Sequence, residues 1–344
     1  MTKTTKRILM ALCAVVGSAI VFVYGVLFTP VTPANHLFYL RPGVSKEHVI
    51  SALHQEGFIR FPRLFNLYAY FSHRGSLKAG EYEFPKGSSP LTIWRQLTSG
   101  TGFYFRAFTI IPGWTFKQLR LSLTTNPWLK HNISHLSDAE IMKLLGSASV
   151  SPEGLFYPET YFFTRGDNDQ RLLQRAYTLM QTKLNQAYVT KDASLPYRNA
   201  YDALIAASLI EKEGRIDKER SVIASVIINR LNKDMVLQID ATIIYALGDQ
   251  YLGSIYKNDL KINSAYNTYL NKGLPPTPIA IPGWPSIFAA LHPAHTNYFY
   301  YVAKQDGSHH FSETLIEHQQ AVQAIRSMQQ TNNAGLAPET VSMH

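Results

Sequence analysis

The sequence is almost without cysteine and is poor in charged residues. A single cysteine among 344 residues excludes an internal disulfide framework and a zinc site built on cysteine. Charged residues make up 17% and apolar residues 46% of the chain, which excludes a largely disordered protein. A chain of this length predicts two or three folded units. Its net charge of +9 fits nucleic acid, anionic lipid headgroups or an anionic polymer equally well.

The common motifs of nucleotide binding and hydrolysis are also absent. The chain contains no G-x-S-x-G, H-E-x-x-H, G-x-x-x-x-G-K or G-x-G-x-x-G segment. Ser254 and Lys257 match the S-x-x-K of penicillin-binding enzymes, but no K-[ST]-G or S-D-N segment follows them. His292 and His295 have the spacing of a helical metal pair, and Pro293 argues against such a helix. We therefore expect neither a metal site nor a cofactor.

One long apolar run lies at the N-terminus. Ile8–Phe28 contains no charged side chain, and its 21 residues would span about 30 Å as a helix, the thickness of a bilayer's hydrocarbon core. Lys3, Lys6 and Arg7 precede the run without an acidic residue, which predicts a cytoplasmic N-terminus. A cleaved signal peptide fits less well, because its apolar region is shorter and ends in small residues. We expect a single anchor, with everything after Thr29 outside the cytoplasm and away from nucleic acid.

The remainder of the chain has the pattern of an α+β protein that becomes mainly helical towards its C-terminus. Apolar spacing, capping residues and Gly or Pro breaks define the elements. The predicted helices cover 44–57, 62–71, 89–100, 137–146, 198–214, 217–234 and 314–328, with one more opened by Thr115 and a long one ending near Lys191. The predicted extended segments cover 38–40, 78–84 and 103–111, and a β-hairpin is expected over 299–312.

The predicted helix 198–214 ends in two glutamates. Ser208 is the sole polar residue within 203–210, so this helix is apolar all round and should be buried. Partial desolvation and the negative end of the helix dipole both raise a carboxyl pKa, as a general acid near neutral pH requires. Glu211 continues the face that contains Ser208, whereas Glu213 fits a solvated helix end better. The alternative is that both glutamates are solvated and pair with neighbouring basic residues.

The second half of the chain contains six distinctive segments. They are EGLFYPETYFF (153–163), IEKEG with ERSVIASVIINRL (within 210–231), LQIDATIIYALG (237–248), YNTYLNKGLPPTPIAIPG (266–283), AALHPA (289–294) and GSHHFSETLIEH (307–318). Their sequences and their order resemble the YceG-like family, the endolytic murein transglycosylases (MltG) of the bacterial inner membrane. By the order of its elements, the region 36–100 corresponds to the LysM-like unit of that family.

The resemblance implies an activity and a catalytic residue. The implied reaction cleaves the MurNAc-β-1,4-GlcNAc bond of nascent peptidoglycan and leaves a 1,6-anhydroMurNAc end. The family's catalytic glutamate falls on Glu211, the first glutamate of E-K-E. One carboxyl group can suffice, because it first protonates the leaving oxygen and then takes a proton from the sugar's own 6-hydroxyl. The candidates for lining the cleft are Gln238, Asp240, Tyr245, Asn267 and Tyr269.

Two other functions are compatible with the same residues. A muramidase would use Asp240 or Glu213 as a second carboxylate and release hydrolysed ends. A non-catalytic scaffold would bind peptidoglycan through the small α+β unit and organise synthases. We expect Glu219 to pair with a nearby arginine rather than to act on sugar. The +9 charge suits the carboxylates of peptidoglycan stem peptides and anionic headgroups near the anchor.

The predicted organisation is that of a single-pass protein of the bacterial inner membrane with a periplasmic catalytic part. Its expected partners are glycan strands, the membrane and peptidoglycan synthases. The predicted segments are a cytoplasmic tail (1–7), the anchor (8–28), a linker (29–36), a LysM-like subdomain (37–100), a mainly helical catalytic domain with the hairpin (101–328) and a disordered tail (329–344).

Overall fold

The computed structural model describes residues 2–72 and 75–334, which form two compact units. The first unit extends to Phe108 and includes the segments Pro127–Lys130 and Phe162–Asp167. The second unit contains the other residues from Thr109 onward. The first unit therefore includes segments beyond the range 37–100 that the sequence predicts for the small subdomain.

Helix α1, Lys3–Phe28, contains the predicted anchor. The Thr2 hydroxyl accepts a hydrogen bond from the Thr5 N–H and caps the helix, which ends before Thr29 and Pro30. Most of its large apolar side chains are exposed, and it is the one described helix long and apolar enough to cross a membrane. A helix of this composition at an N-terminus is consistent with an anchor or a signal sequence.

A β-α-α-β arrangement forms the centre of the first unit. Strands β1 and β2 pair antiparallel, with Leu37 opposite Glu83 and Leu40 opposite Gly80. The elements are β1 (Leu37–Leu40), α2 (Lys46–Gln55), α3 (Pro62–Phe71), β2 (Gly80–Glu83) and α4 (Pro90–Ser99). These bounds agree with the predicted helices and extended segments to within a few residues.

Capping and burial explain why these segments fold as they do. Ser45 and Ser89 accept hydrogen bonds from backbone N–H groups of the first turns of α2 and α4. Gly100 ends α4 in the left-handed conformation that a residue with a Cβ disfavours. The two helices and the sheet enclose an apolar core. Its largest fully buried side chains include Tyr82, Phe58, Phe65, Phe84 and Leu53.

Glu81 is a buried acidic residue of the first unit that is paired with an arginine. Glu81 forms a two-pronged ion pair with Arg106, with donor–acceptor distances of 2.8 and 2.9 Å. The Arg106 guanidinium also lies 3.7 Å from the centre of the Trp128 ring, and that of Arg165 lies over the Trp128 and Tyr39 rings. The negative charge of Glu81 is therefore neutralised where it is buried.

The second unit is mainly helical, as the sequence predicts. Strand β3 (Arg106–Thr109) pairs with β4 (Thr160–Phe163), and the chain passes from one unit to the other within both strands. The helices are α5 (Phe116–Thr124), α6 (Asp138–Leu144), α7 (Asp169–Val189), α8 (Ala200–Glu213), α9 (Arg220–Asn232), α10 (Asp240–Leu247), α11 (Trp284–Leu291) and α12 (Leu315–Ala334). Strands β5 (Tyr300–Ala303) and β6 (His309–Ser312) form an antiparallel hairpin.

The structure departs from the predicted elements in the helices that follow α8. The predicted helix 217–234 is a short 3-10 helix, Asp217–Glu219, followed by α9. Helices α10 and α11 are not among the predicted elements, because they are only eight residues long and follow segments rich in turn residues. Helix α12 continues through residues 329–334, which the sequence assigns to a disordered tail. The rest of that tail, 335–344, lies outside the described residues.

Candidate active site

Helix α8 passes through the interior of the second unit and brings two carboxylates to its end. Its N-terminus is capped by Asn199, whose side chain accepts a hydrogen bond from the Asp202 N–H. Every residue from Asp202 to Ile210 is buried, as the apolar sequence predicts. Helix α11 packs on α8, and α7 and α9 also contact it. The interior of the unit therefore determines where Glu211 and Glu213 point.

The helix ends at Gly214 because another side chain comes close at this position. A Cβ placed on Gly214 would lie 2.8 Å from Cγ of Arg220 and 3.0 Å from the Ile210 carbonyl oxygen. Both contacts are too short for a larger residue. The glycine therefore allows the Arg220 side chain to reach the end of α8.

Glu211 points to the N-terminus of α11. Its Oε2 accepts hydrogen bonds from the Gly283 N–H at 2.9 Å and from the Ser286 hydroxyl at 2.7 Å, and the Arg220 Nη1 lies 3.4 Å away. The Glu211 and Arg220 side chains are only 9% and 12% exposed. These donors and the positive end of α11 stabilise the negative charge of the carboxylate. Glu211 thus links the end of α8 to α9 and α11.

Glu213 points into a cavity of about 590 Å³. The polar and aromatic side chains that line this cavity are Glu213, Arg230, Gln238, Asp240, Tyr269, Tyr301, His309, His318 and Arg326. We call this space the Glu213 cavity. Glu211 does not line it, although the two glutamates are separated by a single residue. Of the two glutamates of E-K-E, the second therefore lines this cavity.

The surroundings of Glu213 favour its protonated form. Burial raises the pKa of the Glu213 carboxyl, and the negative charge of Asp240 raises it further. His309, the Tyr301 hydroxyl and Arg215 oppose this shift, and the net direction of the pKa remains upward. Burial also raises the pKa of the Tyr301 hydroxyl, which hydrogen-bonds to Glu213, so this tyrosine stays a neutral donor. A carboxyl group of this kind can act as a general acid near neutral pH.

Arg230 builds one wall of the Glu213 cavity. Its guanidinium donates to the carbonyl oxygens of Val236, Leu237 and Phe299, which lie on either side of the cavity. Burial lowers the pKa of the Arg230 guanidinium, and its ring neighbour is Tyr300 at 5.2 Å. Because its donors are bound to backbone groups, Arg230 serves mainly to hold the segment before α10 beside the hairpin.

Three of the five predicted cleft residues meet in this cavity. Asp240 begins α10, and its Oδ1 accepts a hydrogen bond from the Tyr269 hydroxyl. Gln238 has a positive φ of 53°, and its side-chain oxygen accepts from Arg230 at 3.3 Å. A positive φ at a non-glycine residue is unusual, and the surrounding hydrogen bonds maintain it here. The structure brings Gln238, Asp240 and Tyr269 together around Glu213.

The other two predicted cleft residues lie elsewhere. Asn267 is fully buried, and its amide donates to the carbonyl oxygens of Leu260 and Ile262 at 3.0 and 2.8 Å. Its side chain holds a loop together and does not line the Glu213 cavity. Tyr245 instead lines a second groove of about 840 Å³, where its hydroxyl donates to Glu153 at 3.2 Å.

Glu153 is a buried acid that the sequence analysis did not single out. Its Oε1 accepts from the Phe116 N–H at 2.9 Å, and burial raises the pKa of its carboxyl to about 7. The two hydrogen bonds from Phe116 and Tyr245 oppose this shift without cancelling it. Its place at the start of the family segment EGLFYPETYFF was the available sequence signal for a functional role. The burial of a single glutamate cannot be predicted from the sequence.

Most of this chain matches the model of one known family. The model of the YceG-like family matches residues 38–324. The chain belongs to the YceG-like family. The matched range includes both glutamates of α8 and the residues of the Glu213 cavity as far as Val322. The resemblance drawn from the sequence segments is therefore confirmed at the level of the family.

Several members of the YceG-like family are similar over most of the chain. The endolytic murein transglycosylase of Bacillus subtilis is 34% identical over 298 residues, which are 81% of this chain and 81% of that protein. The endolytic murein transglycosylase of Streptococcus pneumoniae is 27% identical over 326 residues, 84% of this chain and 59% of that longer protein. A crystal structure of a YceG-like protein from Listeria monocytogenes has a TM-score of 0.54 and 28% identity, and covers 83% of this chain and 97% of that one.

The sequence analysis singled out the two glutamates at the end of α8 but not their partners. Gly283, Ser286 and Arg220, which bind Glu211, were not among the predicted site residues. Glu219, which was expected to pair with an arginine, instead binds His309. These partners come from segments far apart in the sequence, so no local pattern indicates them.

Proposed function

We propose that this chain is a membrane-anchored endolytic murein transglycosylase. It would cleave the MurNAc-β-1,4-GlcNAc bond of nascent peptidoglycan and leave 1,6-anhydroMurNAc ends. The names of the similar proteins of Bacillus subtilis and Streptococcus pneumoniae support the substrate and the reaction class. The observation on which the proposal chiefly rests is the raised pKa of Glu213 in a cavity of the matched region.

We assign the general acid to Glu213. The resemblance of the E-K-E segment implies Glu211, and that assignment is the alternative to be tested. Two features support Glu213: it lines the cavity, and burial favours its protonated form. The Oε2 of Glu211 is instead occupied by a backbone N–H, a hydroxyl and an arginine, which hold this carboxylate between helices. A general acid must hold a proton within reach of substrate, and Glu213 meets both requirements.

The chemical step follows from these surroundings. Glu213 donates its proton to the oxygen of the departing GlcNAc, and the bond from this oxygen to the anomeric carbon breaks. Positive charge develops at the anomeric carbon, where the carboxylate of Asp240, on the same cavity, would stabilise it. The 6-hydroxyl of the same MurNAc then attacks this carbon and gives up its proton to a base. The attack is intramolecular, so no bound water is needed as nucleophile.

The first unit and α1 would place this reaction at the membrane. We propose that α1 is a single anchor with the N-terminus in the cytoplasm, because Lys3, Lys6 and Arg7 precede its apolar part. The catalytic unit would then lie on the periplasmic side of the inner membrane. The β-α-α-β order of the first unit supports its assignment as the LysM-like subdomain. Peptidoglycan synthases are proposed partners on the grounds of shared substrate.

The proposal is tested with the full chain in detergent micelles and uncrosslinked glycan strands. Mass spectrometry of the products should show anhydro ends for the wild type and none for Glu213→Gln. Reducing ends, which contain one additional water, would instead support a two-carboxylate muramidase that uses Glu213 and Asp240. The charge of Asp240 acting on Glu213 favours this as the second candidate function. Glycan binding without turnover by a folded wild type would support the scaffold.

A further inference from the structure

Glu219 and His309 form a buried pair beside the Glu213 cavity. The Glu219 carboxylate accepts the His309 backbone N–H at 3.1 and 3.2 Å and approaches the ring Nδ1 to 2.7 Å. The two side chains are 18% and 6% exposed. Glu219 ends the 3-10 helix before α9, and His309 begins β6. Two segments separated by 90 positions thus meet in one hydrogen-bonded pair.

The pair is connected to the proposed general acid. His309 lines the Glu213 cavity, and its ring packs edge-on against Tyr301, with centroids 5.3 Å apart and planes at 90°. The Tyr301 hydroxyl in turn hydrogen-bonds to Glu213. Successive contacts therefore connect Glu219, His309, Tyr301 and Glu213, and the last three of these line the cavity.

The carboxylate determines which nitrogen of His309 holds the proton. An ionised carboxylate only accepts hydrogen bonds, so the ring nitrogen that faces Glu219, Nδ1, must be the donor. In the neutral ring Nε2 is then left with its lone pair. A histidine oriented in this way by a carboxylate is the arrangement that enzymes use for a general base.

We propose that His309, oriented by Glu219, is the base that accepts the proton of the MurNAc 6-hydroxyl. This inference rests on the proposed function and replaces its single-carboxyl scheme by two groups. Glu213 gives a proton to the leaving oxygen as the C1–O4 bond breaks. The O6–C1 bond forms, and the O6 proton moves to Nε2 of His309. A proton then returns from His309 to Glu213 through the Tyr301 hydroxyl or water, which restores both groups.

The roles of acid and base are thereby divided between groups of different character. Glu213 is desolvated next to the negative charge of Asp240 and so retains a proton. His309 donates from Nδ1 to Glu219 and so presents Nε2 as the proton acceptor. In a single-carboxyl scheme, one glutamate would have to protonate the leaving oxygen and also accept the proton of the 6-hydroxyl.

The decisive experiment is chemical rescue with imidazole. The full chain in detergent, with His309→Ala, is assayed for anhydro products from uncrosslinked glycan strands. We expect kcat to fall about 100-fold with KM nearly unchanged. Added imidazole should then raise the kcat of the variant roughly tenfold. Imidazole should restore nothing to Glu213→Gln, since it cannot replace the acid.

Two further variants separate a base from a merely structural histidine. His310→Ala is the matched control, because His310 is the next residue on β6, is exposed and points to the opposite face of the strand. It should keep the wild-type kcat. Glu219→Gln retains an acceptor for Nδ1 but loses the charge, and we expect kcat to fall about tenfold.

The outcomes distinguish this inference from the proposed function. Anhydro products from the wild type establish the function, and the variants then test His309 separately. A folded His309→Ala with wild-type kcat, or with a low kcat that imidazole leaves unchanged, would overturn the inference. If the wild type makes no product, NMR of nitrogen-15 histidine still tests it. The Nε2 signal of His309 must shift when an N-acetylglucosamine oligomer is added, and an unchanged signal would contradict the role.

Discussion

Glu211 and Glu213 are chemically identical side chains at the end of one helix, yet the structure gives them opposite surroundings. Residues two positions apart on a helix point away from each other, so one carboxylate meets α11 and the other meets the cavity. Glu211 receives a backbone N–H, a hydroxyl and a guanidinium, whereas Glu213 has a tyrosine hydroxyl and the charge of Asp240. In our proposal, burial together with the number and sign of the neighbouring groups distinguishes the structural carboxylate of Glu211 from the general acid Glu213.

The largest expected difference between the two glutamates is kinetic. Glu213→Gln should lower kcat about 1,000-fold, because the amide cannot protonate the leaving oxygen. Glu211→Gln should keep kcat within a factor of about ten of the wild type, since it acts through packing. Initial rates of anhydro-end formation measure both. The reverse order of effects would return the role of acid to Glu211, as the sequence comparison proposes.

The second expected difference concerns stability. Glu211→Ala removes the acceptor shared by Gly283, Ser286 and Arg220, although Arg220 keeps its ion pair with Asp217, and should lower the free energy of unfolding by about 3 kcal/mol, roughly 1 kcal/mol for each lost contact. Glu213→Ala removes a desolvated acid that has no comparable ion pair and should change it by less than about 1 kcal/mol. Urea denaturation at pH 7 compares the two variants. Equal losses of unfolding free energy would show that both glutamates contribute equally to stability.

A third carboxylate, Glu153, tests how far burial raises a pKa when hydrogen bonds oppose it. Its pKa is about 7 in the folded chain against a usual value of 4.5, so the folded state binds this proton more tightly. The stabilising contribution is complete below pH 4.5 and is lost as the pH rises to 7, a difference of about 3 kcal/mol. Glu153→Gln should remove this dependence and be more stable than the wild type at pH 8. Parallel unfolding curves of the two proteins from pH 4 to 8 would contradict the assignment.

The smallest expected effect is on the pH dependence of the reaction. Asp240 raises the pKa of Glu213, so Asp240→Asn should lower that pKa. Because a general acid is active only when protonated, the decline of kcat/KM at high pH should then begin at a lower pH. The pH profiles of the two proteins measure this shift. An unshifted decline would mean that another group controls the alkaline side of the profile.

The sequence alone predicts the features that depend on neighbours along the chain. Ser45, Ser89 and Thr115 begin helices where the pattern places them, and the apolar run of α8 is buried as expected. The motifs between 150 and 320 identified the family, and three of five predicted cleft residues line the Glu213 cavity. Asn267 lies outside this cavity and closes a loop. The sequence does not distinguish a polar residue that binds a ligand from one that holds a loop together.

The direction in which each glutamate of E-K-E points was decided only by the tertiary structure. Helix periodicity predicts that the two side chains point to different faces of the helix, but it does not predict which of these faces lines a cavity. Helix α11, too short to be predicted, supplies the donors that bind Glu211. The hairpin brings His309 and Tyr301 from positions about 90 residues away to Glu219 and Glu213. The sequence determined the longer helices, the apolar N-terminal run and the family, because these depend on local pattern. The roles of single carboxylates depend on which distant groups surround them, and folding alone brings those groups together.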